Sequence, residues 1–184
     1  MLIKKTIMHK KIIETHIIIP AYEKTGNGLV VEVKIKAVYS EKLVCHSIGR
    51  VAIGLEMNFK RIIEIMSSLK KTWQILKHFH YQLECNNEHY KVSDARSSSL
   101  ALSIALLNIY KEINDSHQVK NITGTGLMRI DGSFEETYLE QQKYYAVKNS
   151  DVVKKFVTSN KCNHIFELEN ILNQFKHKGE VLCQ

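Results

Sequence analysis

A chain of 184 residues, 44% of them hydrophobic, has the length and apolar content of one globular domain around a single core. Its 26 Lys and Arg outnumber 19 Asp and Glu, for a formal charge of +7, but they come as scattered pairs (Lys4-Lys5, Lys10-Lys11, Lys70-Lys71, Lys154-Lys155) rather than one block. That pattern describes solvated faces, so nucleic acid is not an expected partner. Lys4, Lys5, Lys10, Lys11 and Glu14 interrupt Met1 to Ile19, which argues against a signal core or membrane span there and makes a cytoplasmic location the expectation.

In chain order, Ile12 to Ile19 is rich in Ile, and Leu29 to Val38 alternates Val31, Val33 and Ile35 with Glu32, Lys34 and Lys36, the period of a half-buried strand. Gly26-Asn27-Gly28 between them marks a turn, and a third apolar stretch runs from Leu43 to Ile53. Phe59, Ile62, Ile63, Met66, Leu69 and Trp73 then recur every three or four residues, with Lys60, Arg61, Lys70 and Lys71 opposite, which predicts an amphipathic helix on a sheet. His78 to Leu83 and His89 to Val92 are predicted to pair as a hairpin across Asn86-Asn87.

Leu100, Leu102, Ile104, Ala105, Leu106, Leu107 and Ile109 make a helix apolar on most of its surface, the expected central helix. Val119 to Ile122 and Leu127 to Ile130 are predicted as short strands around Gly124 and Gly126. A helix carrying Lys143, Tyr144, Ala146 and Val147, a strand at Val152 to Thr158 and a helix at Leu168 to Phe175 complete the reading. The order predicts an α/β (α+β) domain of mixed sheets with packed helices. With Pro20 the lone proline and no Ser/Gly-rich stretch, 1–184 is one domain, of which residues 1–28 form an N-terminal extension and the first strand.

Cys45, Cys85, Cys162 and Cys183 are far apart and lack C-x-x-C spacing, which suits reduced thiols. His78 and His80 alternate in the predicted strand, and no H-x-x-x-H or H-E-x-x-H occurs, so neither a metal nor another cofactor is expected.

One constellation suggests bond-breaking chemistry. Ser93-Asp94-Ala95-Arg96-Ser97-Ser98-Ser99 opens the apolar helix, and Lys143 lies on the helix after Thr125-Gly126 and Gly132. A serine hydroxyl needs a base to attack a carbonyl, and a lysine serves only when neutral, a form that burial favours and a carboxylate such as Asp94 opposes. Burial against Tyr144, Tyr145 and the central helix would supply that environment, and amides near Ser97 and Ser98 at the helix start would face a developing oxyanion. The simpler account is that Ser93 or Asp94 caps an ordinary helix and Glu140 pairs with Lys143 at the surface.

Asp94 to Ser99 resembles the D-G-P-S-A-G nucleophile motif of Lon-type proteolytic domains, with Ser97 at the serine's place. Ile122 to Phe134 is similar to that family's M-T-G-E-[IV]-x-L-x-G-x-V segment through Thr125, Gly126, Ile130, Gly132 and Phe134. Ungapped continuation puts Lys143 at the lysine of G-G-L-x-x-K, whereas a one-residue shift matching Leu139 would put Gln142 there. The likeness covers about Lys91 to Phe175. Ala95-Arg96 stand for Gly-Pro, Ser98-Ser99 for Ala-Gly, Leu127 for Glu and Tyr138-Leu139-Glu140 for Gly-Gly-Leu.

The resemblance implies a Lon proteolytic, ribosomal S5 domain 2-like fold and a serine endopeptidase with a Ser97-Lys143 dyad. Asp94, Ser98, Thr125 and Gly126 would support the dyad, with Thr125 aiming Lys143. A polypeptide is the implied substrate, and a homo-oligomer the implied assembly, for which the Leu55 to Trp73 stripe could supply a contact. No G-x-x-x-x-G-K-[ST] loop occurs, so hydrolysis is expected to be ATP-independent and ATP-driven unfolding would need a separate ATPase partner. The other class of function left open is a catalytically inactive domain of this fold that binds protein or nucleic acid.

Overall fold

A computed structural model of the chain describes residues 11–22, 25–48, 53–85 and 95–175. Strand β1 (Ile12–Tyr22) and β2 (Gly28–Tyr39) pair antiparallel from Ile12 opposite Val38 to Tyr22 opposite Gly28. Their alternation sends Ile13, Ile17 and Ile19 of β1 and Val31, Val33 and Ile35 of β2 into the core, with Glu14, His16, Lys34 and Lys36 on the opposite face. On that face Glu14 bridges Lys34 and Lys36, and the Lys34 hydrogen bond is the main cause holding the Glu14 carboxyl below its usual pKa.

β3 (Val44–Ile48) and β4 (Phe79–Cys85) complete a four-stranded sheet of order β1-β2-β4-β3. β4 runs antiparallel to β2 and parallel to β3. Both its edges are therefore filled, and the predicted hairpin with His89 to Val92 gives way to these two pairings; residues 89–92 lie outside the described residues. His78 does not join the strand: it ends a 3₁₀ helix, and His80 instead meets His46 of β3, ring nitrogens 2.6 Å apart.

The amphipathic helix α1 (Ile53–Leu69) lies on the core face of the sheet with Phe59, Ile62, Ile63 and Met66 fully buried. It stops short of Trp73, contrary to the sequence expectation. Lys70 is extended, its ammonium sits between the Glu169 carboxylate and the Trp73 ring, and Trp73 enters the core from a 3₁₀ helix, Lys71–His78. The stripe is core packing rather than a free surface for oligomer contact: Leu55, Phe59, Ile62, Met66 and Trp73 are all buried.

After a 3₁₀ turn, Arg96–Ser98, comes the central helix α2 (Ser99–Ile113), apolar all round and buried from Ser99 to Ile109. Each large aliphatic side chain buried there contributes about 1.5–3 kcal/mol, so this helix anchors the fold. Polar groups buried along it are satisfied: Ser103 Oγ donates to the Ser99 carbonyl at 2.7 Å, the Asn108 amide brackets the Val119 backbone, and Lys111 donates to Asn173 Oδ1 at 2.7 Å.

That bracketing explains a shift in the next strand. Val119 is held by a side chain instead of a neighbouring strand, and β5 begins later, at Ile122–Thr125, paired parallel with β8 (Lys155–Thr158). Gly124, expected between two strands, is inside β5, where only glycine fits: a Cβ there would stand 2.4 Å from the Val157 carbonyl oxygen and 2.3 Å from Leu100 Cδ2. β6 (Leu127–Met128) and β7 (Phe134–Glu135) form a small antiparallel ribbon, joined by a turn in which Gly132 has φ +86°. Helices α3 (Glu140–Lys148) and α4 (Ile165–Gln174) complete a mixed α+β architecture, the predicted class. Among the described residues no helix is long and apolar enough to cross a membrane.

Cys45, Cys85 and Cys162 are free thiols, while Cys183 lies outside the described residues. Burial pushes the Cys45 and Cys162 thiols up to about 12. Since the thiolate is the reactive form, alkylation of the folded protein near pH 8 is expected to modify both at least about a hundredfold more slowly than in denaturant, as read by mass spectrometry. Equal rates would show that the pairings around β3 and β8 open readily.

Candidate active site

The turn that carries the serines is fastened from below. Asn58 on α1, buried and absent from the sequence reading, donates to the Ala95 carbonyl at 2.8 Å and lies within 3.4 Å of Ser98 Oγ and 3.2 Å of Ser99 Oγ. Ser98 Oγ donates to the Ala95 carbonyl at 2.5 Å and Ser99 Oγ to the Arg96 carbonyl at 2.6 Å. These hydroxyls satisfy carbonyls of the turn, so neither caps the amides of α2. The Ser98 amide also turns inward, to the Ala95 carbonyl at 3.0 Å, which removes it as an oxyanion donor. Ser97 differs from both: it is half-buried, and no hydrogen bond to its hydroxyl occurs among the described residues. Asp94 lies outside the described residues.

The Ser97 backbone meets the end of β5. Its carbonyl accepts from the Gly126 amide and from the Thr125 hydroxyl, each at 3.2 Å. Leu100 on α2 closes over this crossing, so a Cβ on Gly126 would meet Leu100 carbons at 3.2 and 3.3 Å.

Lys143 comes to the same place from the other side. It has 0% exposure, on the inner face of α3 with Val147 one turn on. Its Nζ donates to Thr125 Oγ1 at 3.4 Å and to Thr137 Oγ1 at 3.1 Å, and the two hydroxyls are 2.9 Å apart. Nζ also stands 5.5 Å from the centre of the Tyr22 ring, against which Tyr138 packs edge-on. Thr125, Gly126, Ser97 and Lys143 are thus together, and Thr125 stands between the serine backbone and the amine.

Two sequence expectations change here, and one choice of register is kept. The surface pairing with Glu140 is replaced by complete burial of Lys143. Tyr144 and Tyr145, expected to bury it, are 43% and 53% exposed, and the aromatic neighbour is Tyr22. Gln142 is exposed, so the register that puts Lys143 inward is the one whose residue reaches Thr125. Glu140 at the start of α3 has its carboxyl pKa raised, chiefly by burial and then by Glu136.

No protein-family model matches the chain, and no curated protein matches it significantly. Among the described residues no group of three or more His, Cys, Asp or Glu is arranged to hold a metal ion.

Proposed function

We propose that this chain is a small cytoplasmic Lon-like serine peptidase on an S5 domain 2-like fold, with Ser97 as nucleophile and Lys143 as general base. The observation that carries the reading is the buried amine of Lys143 on the Thr125 hydroxyl, itself bonded to the Ser97 carbonyl. A lysine is almost never fully buried unless paired, and burial in general disfavours the charged form of an amine, the form that cannot act as a base. Two backbone positions add support. Leu139, where the family's second glycine of Gly-Gly-Leu falls, has φ +55°, and Gly132 has φ +86°. A leucine at positive φ is strained by about 1–3 kcal/mol, and a glycine at that place is free of the strain.

In this reading Ser97 Oγ attacks the peptide carbonyl as Lys143 Nζ takes its proton. The C–N bond then breaks, the departing amine receives that proton from the Lys143 ammonium, and the acyl-Ser97 ester is hydrolysed by water activated by the same amine. The substrate is an unfolded or exposed polypeptide segment. Assembly into a homo-oligomer and delivery of substrate by a separate ATPase belong to the same proposal.

The second reading, a catalytically inactive domain that binds protein, is favoured by Thr125 standing between Ser97 and Lys143. Hydrolysis of an unfolded, fluorescently labelled protein decides between the two. Cleavage that rises between about pH 6 and 10 as an amine deprotonates, and that disappears in both Ser97→Ala and Lys143→Ala, supports the peptidase. No cleavage by folded wild-type chain supports the binding domain.

A further inference from the structure

We infer that Thr137 is a positioning residue that fixes the Lys143 amine relative to the Ser97 backbone; the inference rests on the candidate site described above. It follows from counting hydrogens. A threonine hydroxyl has one hydrogen and can accept from more than one donor. The Thr125 hydrogen goes to the Ser97 carbonyl at 3.2 Å. The 2.9 Å contact between the two threonines therefore uses the Thr137 hydrogen, with Thr125 Oγ1 accepting. The two threonine contacts of Lys143 Nζ, 3.1 Å to Thr137 and 3.4 Å to Thr125, are then N–H groups donating into the pair.

The hydrogen bonds consequently run one way, from Lys143 through Thr137 and Thr125 to the Ser97 carbonyl. Thr137 holds the amine by the shorter of its two threonine contacts, and it gives Thr125 the donor that leaves the Thr125 hydrogen for Ser97. Its position supports the arrangement: half-buried just before α3, it sits six residues before Lys143, so the segment that delivers the lysine also delivers the hydroxyl that holds it. Neither composition nor spacing singles it out. Thr137 falls outside the motifs through which the chain resembles the peptidase family, between Phe134 and Tyr138.

The test compares wild type with Thr137→Val, which keeps the shape and loses the hydroxyl, and Thr137→Ser, which restores it. Lys143 is titrated by its rate of acylation with acetic anhydride across pH, read peptide by peptide in the folded protein, and hydrolysis of the labelled unfolded protein is measured alongside. An acceptor on the amine stabilises the charged form more than the neutral one, so its loss lowers the Lys143 pKa. Thr137→Val is expected to shift the acylation midpoint down by about one pH unit, about tenfold in neutral amine below the midpoint. Above both midpoints, where the amine is neutral in wild type and variant alike, the misplaced base of Thr137→Val is expected to lower hydrolysis about tenfold, and Thr137→Ser to restore both readouts. A Thr137→Val protein that acylates like wild type, or a serine variant that behaves like valine, overturns the inference. If the wild-type chain hydrolyses nothing and Thr137→Val still shifts the midpoint, Thr137 is retained as the residue that holds the amine and the peptidase reading is removed.

Discussion

Ser97→Ala is expected to reduce hydrolysis at least about a thousandfold, while Ser98→Ala and Ser99→Ala keep it within about tenfold of wild type. The three serines are adjacent and chemically equal in the sequence, and the structure separates them. Ser98 and Ser99 spend their hydroxyl hydrogens on the Ala95 and Arg96 carbonyls and lie against the Asn58 amide. Removing either leaves buried polar groups short of a partner, at a cost of about 1–3 kcal/mol, which appears as a lower unfolding midpoint. Ser97 has no such duty, so its alanine variant is expected to unfold within about 0.5 kcal/mol of wild type. Activity and stability losses should therefore fall on different serines. If Ser97→Ala is as active as the other two, or if all three lose stability alike, the cluster is a helix start and not a nucleophile turn.

Gly28→Ala is expected to destabilise the fold by about 2–4 kcal/mol and to displace the candidate base with it. Gly28 opens β2 where α3 crosses the sheet, and a Cβ there would stand 2.1 Å from the Gln142 carbonyl oxygen and 3.0 Å from the Ala146 methyl carbon. The first is backbone and cannot rotate aside, so α3 must lift. Lys143 is the next residue, and its amine would leave Thr125 and Thr137. Gly26 gives the control two residues away. It has φ +86° and nothing within 4 Å of a built Cβ, so Gly26→Ala carries only the conformational cost of about 1 kcal/mol and leaves α3 in place. Denaturant unfolding of the two variants, with Lys143 acylation as a local reporter, is the measurement. Equal small losses and unchanged acylation would mean that α3 is not seated on this turn.

Much of the scaffold was legible because its signals are local. The alternation in β1 and β2 and the three-to-four spacing of Phe59, Ile62, Ile63 and Met66 report which side of an element is dry. The run from Leu100 to Ile109 reports a helix dry on every side. Each of these depends on neighbours in sequence, and residues in register with one another share one environment. Trp73 shows the limit. It keeps the apolar period but lies beyond a break at Lys70, whose ammonium pairs with Glu169 from the other end of the chain.

The candidate site divides the same way. Residue order alone placed a serine turn at the start of the central helix and Thr125-Gly126, Gly132 and Lys143 after it, in an order resembling one peptidase family. It could not determine the surroundings of Lys143, because Glu140–Lys148 is polar apart from Tyr144, Tyr145, Ala146 and Val147 and reads as a surface helix. Only the tertiary structure brought that lysine inside. Tyr22 from β1, Thr125 from β5 and Thr137 before α3 converge on its amine, while Asn58 from α1 fixes the opposing turn. Burial of a charged group is decided by what packs over it, and the residues shown at this amine come from three separate segments of the chain.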